Sequence, residues 1–314
     1  MLEIGVQTQN AIQDENPQAG FEMLKRAGFS CVDFSLNGYL KNTDLYKNKL
    51  NPFFEQSVEE LKSYFTPHKE ADEASGIRIH QMHMPYPNFI PTATDKVNDF
   101  LLKEMAPKSM EVCNFLDCKY IVVHGLKMTK YLGSEELEWE QTKRYLDYVL
   151  PMAKDMGIVI CIENLYESSG KHIIEGPCCD ARKAAARIDA VNEEYGAEVL
   201  GFCFDTGHAN LVGIDFESFI TTLGSRLKVL HTHDNDGVAD LHQLPFVYTK
   251  TRENKPSTDW DGFVKGLRNI GFDGTINFET APVLKSFPED MTEDALRMIA
   301  SVGRHFIREI ESGR

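Results

Sequence analysis

Short runs of apolar, β-branched residues recur along the chain, each followed by a stretch with helical spacing. The runs are Glu3–Thr8, Cys31–Leu36, Arg78–Met84, Tyr120–His124, Val159–Glu163, Leu200–Asp205, Lys228–His233 and Thr275–Glu279. Most are continuous rather than alternating, the pattern of parallel strands covered on both faces. Between them, Phe21, Leu24 and Ala27 share a 3.6-residue face that stops at Gly28. Leu137, Tyr145, Leu146, Val149 and Met152 make another that runs to Gly157, and Phe263, Leu267 and Ile270 a third before Gly271. The last helix follows Pro288 and aligns Leu296, Ile299, Val302, Phe306 and Ile310.

Eight strand–helix alternations in 314 residues predict an α/β fold, a single-domain (β/α)8 TIM barrel over 1–314, in preference to an open sheet. Two connections are long, Asn37–Phe65 and Asp234–Asp259. The first is rich in aromatic residues (Tyr39, Tyr46, Phe53, Phe54, Tyr64, Phe65), which reads as packing on the barrel in preference to a lid. No linker, repeat or low-complexity stretch interrupts the pattern.

The chain carries 48 acidic against 33 basic residues, a formal charge of −15, which disfavours gripping a polyanion by broad electrostatics. Apolar residues at 42% and charged ones at 26% exclude a disordered chain. No apolar run reaches the roughly 18 residues of a membrane span, and the first residues show no export signal. Seven cysteines, odd in number and scattered, predict reduced thiols and a cytoplasmic location. Cys113, Cys118, Cys161 and Cys203 occupy core-like positions, while the adjacent Cys178 and Cys179 lack a second pair at ligand spacing. Glu135, Glu136, Glu138 and Glu140 read as a solvated, acidic first turn of a helix.

The polar residues at the strand ends carry the chemistry. Strands three to eight end at His83, His124, Glu163, Asp205 (with His208), His231 (with His233 and Asp234) and Glu279. Barrel active sites are built at that end. Clustered carboxylates repel one another unless a cation neutralises them, and carboxylates mixed with imidazoles suit one divalent metal: Mn, Mg, Co or Zn. No Gly-rich phosphate loop, Gly-x-Ser-x-Gly elbow or zinc-type cysteine pair is present.

The runs Ile-Glu163-Asn-Leu-Tyr, Phe-Asp205-Thr-Gly-His208-Ala-Asn, His231-Thr-His-Asp-Asn-Asp-Gly and Asn-Phe-Glu279 resemble the xylose-isomerase-like barrel superfamily, along nearly the whole chain. That resemblance implies a metal site at Glu163, Asp205, His231 and Glu279. His231 matches in place of His233 because Asp234 keeps the His-x-x-Asp spacing. It also implies catalysis by Glu163 and Glu279, one removing a proton next to a carbonyl and the other returning it, through an enediolate. His83, His124, His208, Asp240 and His242 would contact substrate, with Glu167 and Trp260 as further candidates; Trp260 otherwise reads as packing, behind Asp259 as N-cap.

The expected activity is therefore sugar isomerisation or epimerisation in carbohydrate metabolism, on a small sugar, polyol or sugar phosphate. An inosose dehydratase-like lyase shares the proton-abstraction step. A type IV apurinic endonuclease-like enzyme, holding more than one Zn on the nine positions named above outside Glu167 and Trp260, would act on abasic DNA. Asp-Asn-Asp-Gly after His233, Gln-Leu-Pro-Phe after His242 and the charge of −15 weigh against that activity. Gly237, where ketose 3-epimerases carry Arg, weighs against a simple ketose 3-epimerase. A non-catalytic scaffold has no use for the Glu163/Glu279 pair. No membrane partner is implied, and the resemblance is compatible with a homo-oligomer.

Overall fold

The computed structural model describes residues 2–128, 135–250 and 255–313. Residues 251–254 of the connection Asp234–Asp259, and Met1, lie outside the described residues. Eight parallel strands form the barrel: Glu3–Gln7, Cys31–Ser35, Arg78–His83, Tyr120–His124, Val159–Glu163, Leu200–Asp205, Leu227–His231 and Thr275–Phe278, first to eighth in chain order. Each pairs with its successor, the first also pairs with the eighth, and the ring closes where Thr232 bridges Phe278.

Two pairings contain an extra residue. Val32 faces Ile79 but Asp33 faces Gln81, so His80 bulges from the third strand. Phe202 faces Leu227 but Cys203 faces Val229, so Lys228 bulges from the seventh. A bulge re-aims every side chain beyond it, and these two set Gln81 beside Asp33 and His231 beside Asp205.

The main core lies between strands and helices. Inside the barrel, Val122, Val159, Cys161, Cys203 and Val229 form a separate small cluster. The rest of that interior is polar, with Asp33 accepting hydrogen bonds from Gln81 and Asn277. All seven cysteines are buried and unpaired. Among the described residues no helix is long and apolar enough to cross a membrane.

Helix ends follow local chemistry. Gly28 closes the helix Pro17–Ala27 at φ 103°, where a side chain would be strained. A reciprocal capping box between Ser57 and Glu60 starts the helix Val58–Ser75, so the connection read as Asn37–Phe65 is helical over its last residues. Its aromatics pack as a cluster: Tyr39 stacks on Phe53 at 4.8 Å, and Phe65 meets Phe34 edge-on at 5.6 Å. The acidic first turn of Glu135–Met156 is only partly solvated. Glu135 and Glu136 pair with Lys183, Glu135 also with Arg187, and Glu138 is buried.

Asp14, in the connection after the first strand, accepts hydrogen bonds from the Tyr39 and Tyr64 hydroxyls at 2.6 and 2.9 Å and lies 3.1 Å from His68 Nε2. It thereby ties the first connection to the second, and both line the mouth of the barrel. The His68 contact, with the two tyrosines acting against partial burial, holds the Asp14 carboxyl below its usual range. Asp14→Asn should cost about 1–2 kcal/mol in urea unfolding at pH 7, at the low end because Asp14 is partly exposed. A lowered folded-state pKa contributes stability above the unfolded value, about 3.9, and loses it as pH falls through the folded value. The difference between wild type and variant should therefore shrink below about pH 4.

Candidate metal and active site

The strand ends converge on a cavity of about 180 Å³. Glu163, Glu279, His83, His124, His208, Asp240 and His242 line one part of it. Gln7, Gln9, Asn10, Asn37 and Tyr86 line the rest, beside Ala281 and Pro282. A depression of about 400 Å³ near Leu50, Lys96 and Lys103 is larger but holds none of the convergent histidines.

Backbone carbonyls fix how the imidazoles face. The Nδ1 atoms of His83, His208 and His242 lie 2.7, 3.0 and 3.0 Å from the carbonyl oxygens of Met84, Asn164 and Glu279. A carbonyl only accepts, so each Nδ1 carries a proton and donates. The Nε2 atoms then point at carboxylates: His83 at Glu163 Oε2 (3.7 Å), His208 and His242 at Asp240 Oδ2 (3.4 and 3.1 Å). His231 is turned the other way, with Nε2 3.0 Å from Asp33 and Nδ1 3.2 Å from Glu163 and 3.4 Å from Glu279. Carboxylates are acceptors too, so the approaches at 3.0–3.4 Å call for a proton or a metal ion between the two lone pairs.

The donor atoms of Glu163, Asp205, His231 and Glu279 all lie within 4.8 Å of one another, as do those of His83, His124 and Glu163. Glu163 Oε2 and Asp240 Oδ1 are buried without a hydrogen-bond partner. Buried carboxylate oxygens among imidazole nitrogens, such as Glu163 Oε2 with His124 Nε2 3.1 Å away, fit a divalent cation. Asp205 is more fully engaged. One oxygen caps the helix Thr206–Val212 through the His208 amide at 2.6 Å, and the other lies 3.0 Å from His233 Nε2. The His233 ring lies across Gly207, where a Cβ would come within 1.9 Å of it. This explains the glycine of Thr-Gly-His.

Burial pushes the Glu163 carboxyl up, but His231 and His124 outweigh it and hold the group well below its usual range. For Glu279 the same contest, won by His231 and His242, ends at about 2. Burial lowers His242, yet Glu279 and Asp240 carry it to about 9. Both glutamates are therefore held in the ionised form at neutral pH. Glu279 is further held by Gln7, whose Nε2 donates to Oε1 at 2.6 Å.

Nine of the eleven residues singled out from sequence meet here, and two do not. Trp260 is buried against Phe306 (5.3 Å) and Phe263 (5.8 Å), so it packs the core outside the cavity lining. Asp259 caps its helix through the Gly262 amide. Glu167 is buried on a hairpin, Tyr166–Ser169 with His172–Glu175, that the sequence did not reveal, and it too lies outside the lining. Sequence reading overlooked Asp33, Gln7 and Tyr86 and set His233 aside. Asp33 did leave a signal, a charged residue inside the apolar run Cys31–Leu36.

Residues 21–302 match the xylose isomerase-like TIM barrel family. An uncharacterized Sinorhizobium fredii protein, y4fM, is 28% identical over 147 residues, 47% of this chain and 41% of that protein. This chain thus spans less than half the length of that relative. An inosose isomerase of Bacillus velezensis is 23% identical over 229 residues, 71% of this chain and 76% of that one. The crystal structure of a D-psicose 3-epimerase in the presence of D-fructose superposes with a TM-score of 0.67 at 14% identity, covering 97% of this chain and 99% of that one. With the family match running across nine-tenths of its length, this chain belongs to the xylose isomerase-like TIM barrel family.

Proposed function

We propose that the protein is a divalent-metal-dependent sugar or polyol isomerase or epimerase that moves a proton next to a carbonyl. The observation that carries this is the pair of buried carboxylates, Glu163 and Glu279, facing one cavity and each within 3.4 Å of His231 Nδ1. Glu163, His231 and Glu279 would hold the cation, with Asp205 completing the set. When bound there, a divalent ion supplies Lewis-acid stabilisation of the enediolate charge.

The chain's own groups do the rest. One glutamate takes the proton from the carbon beside the carbonyl, and the other, after taking a proton from solvent, gives it back to that carbon from its own side of the cavity. Gln7 holds Glu279 in place by its 2.6 Å hydrogen bond. Gln9, Asn10, Asn37 and Tyr86 offer hydrogen bonds to hydroxyl groups, and Ala281 and Pro282 a small apolar patch for the C–H face of a sugar. No lysine or arginine is among the described residues lining the cavity, which favours an uncharged substrate over a phosphodiester. The inosose isomerase relative and the D-psicose 3-epimerase neighbour support this substrate class.

The test is a panel of ketoses and cyclic polyol ketones in D2O with Mn2+, followed by NMR. Deuterium should enter the carbon beside the carbonyl of one substrate with its stereochemistry or carbonyl position changed. Loss of water from that substrate would make the enzyme a lyase instead, and cleavage of abasic DNA without any sugar exchange would contradict the proposal. Glu279→Gln should lower kcat by about 10²–10⁴-fold while circular dichroism shows the barrel retained; turnover at the wild-type rate would exclude the two-carboxylate route.

A further inference from the structure

Asp33 is buried in the barrel interior, one layer below the proposed metal site. It lies outside the lining of the site cavity, and among the described residues its one ionic partner is His231, whose Nε2 lies 3.0 Å from Oδ2 without the alignment of a hydrogen bond. Its other contacts are neutral amides: Gln81 Nε2 at 3.2 Å and Asn277 Nδ2 at 3.3 Å, both donating to Oδ2. Amides alone do not repay the burial of a carboxylate. Strand geometry makes room for the arrangement: the bulge at His80 brings Gln81 level with Asp33. Gly5 also leaves space for Asn277, since a Cβ there would meet the Asn277 side-chain oxygen at 2.7 Å.

We infer that Asp33 is a positioning residue, which holds the proton of His231 on Nε2 and so presents Nδ1 as a donor to a cation between Glu163 and Glu279. His83, His208 and His242 have their rings oriented by backbone carbonyls through Nδ1. His231 alone of the four faces a side-chain carboxyl group with its opposite nitrogen. A carboxylate behind an imidazole fixes the ring and makes its free nitrogen a stronger donor. Asp33 touches neither the cavity nor the reacting atoms, so it acts only through His231.

The inference rests on the metal reading above, and the experiment separates the two. Mn2+ is titrated calorimetrically, at one pH, into metal-free wild type, Asp33→Asn and Gln81→Leu, with thermal unfolding of each metal-free protein in parallel. Asn keeps the shape and an acceptor for Gln81 and Asn277 but removes the charge, so Asp33→Asn should bind Mn2+ about 10–100-fold more weakly. Gln81→Leu should lose thermal stability but keep its Mn2+ affinity. An unchanged affinity in Asp33→Asn, or an equal loss in both variants, overturns the positioning role and leaves the metal reading standing. A wild type that binds no Mn2+ overturns both. Should Asp33→Asn not fold, 15N NMR of histidine-labelled, Zn2+-loaded wild type decides: a retained Nε2–H on His231 supports the inference, and an Nδ1–H overturns it.

Discussion

Two lone pairs cannot face each other at hydrogen-bond distance in a dry interior unless something positive lies between them. At the mouth of this barrel the rule applies repeatedly. Three histidines, His208, His231 and His242, have one nitrogen facing a backbone carbonyl or Asp33, and the other within 3.4 Å of Glu163, Glu279 or Asp240. Protons can fill those gaps one at a time, but a divalent ion neutralises two carboxylates at once. Under the proposed function such a site would offer ionised carboxylates, oriented imidazoles and positive charge where an enediolate forms.

The barrel supplies the convergence that such a site requires. Parallel strands point their C-terminal ends into one space, so residues as distant as Gln7 and Glu279 come to share a hydrogen bond. Bulges at His80 and Lys228 act as local corrections to the pleat, bringing Gln81 level with Asp33 and His231 level with Asp205. The Asp14 knot with Tyr39, Tyr64 and His68 then ties down the connections that carry Gln9, Asn10 and Asn37.

The barrel was legible in the sequence because parallel strands buried on both faces are written as uninterrupted apolar runs, and all eight were found within a residue or two of their bounds. The acidic and imidazole residues at the ends of the later strands stood out for the same reason, as polar breaks after such runs. Asp33 was harder, since it lies inside a strand and its partner is set by a bulge that no periodicity announces. Gln7 is a neutral amide with no chemistry visible until Glu279 is seen beside it. The hairpin after the fifth strand has too few apolar residues to register as strand. For Trp260 the pattern left packing and substrate contact open, and the neighbouring rings of Phe263 and Phe306 placed it in the core.

The central claim is that a cation seats among Glu163, His231 and Glu279, and anomalous diffraction from a Mn2+-soaked crystal tests it most directly. One strong peak is predicted, within bonding distance of a carboxylate oxygen of each glutamate and of Nδ1 of His231. No peak at that position, or one ligated away from both glutamates, would contradict the account.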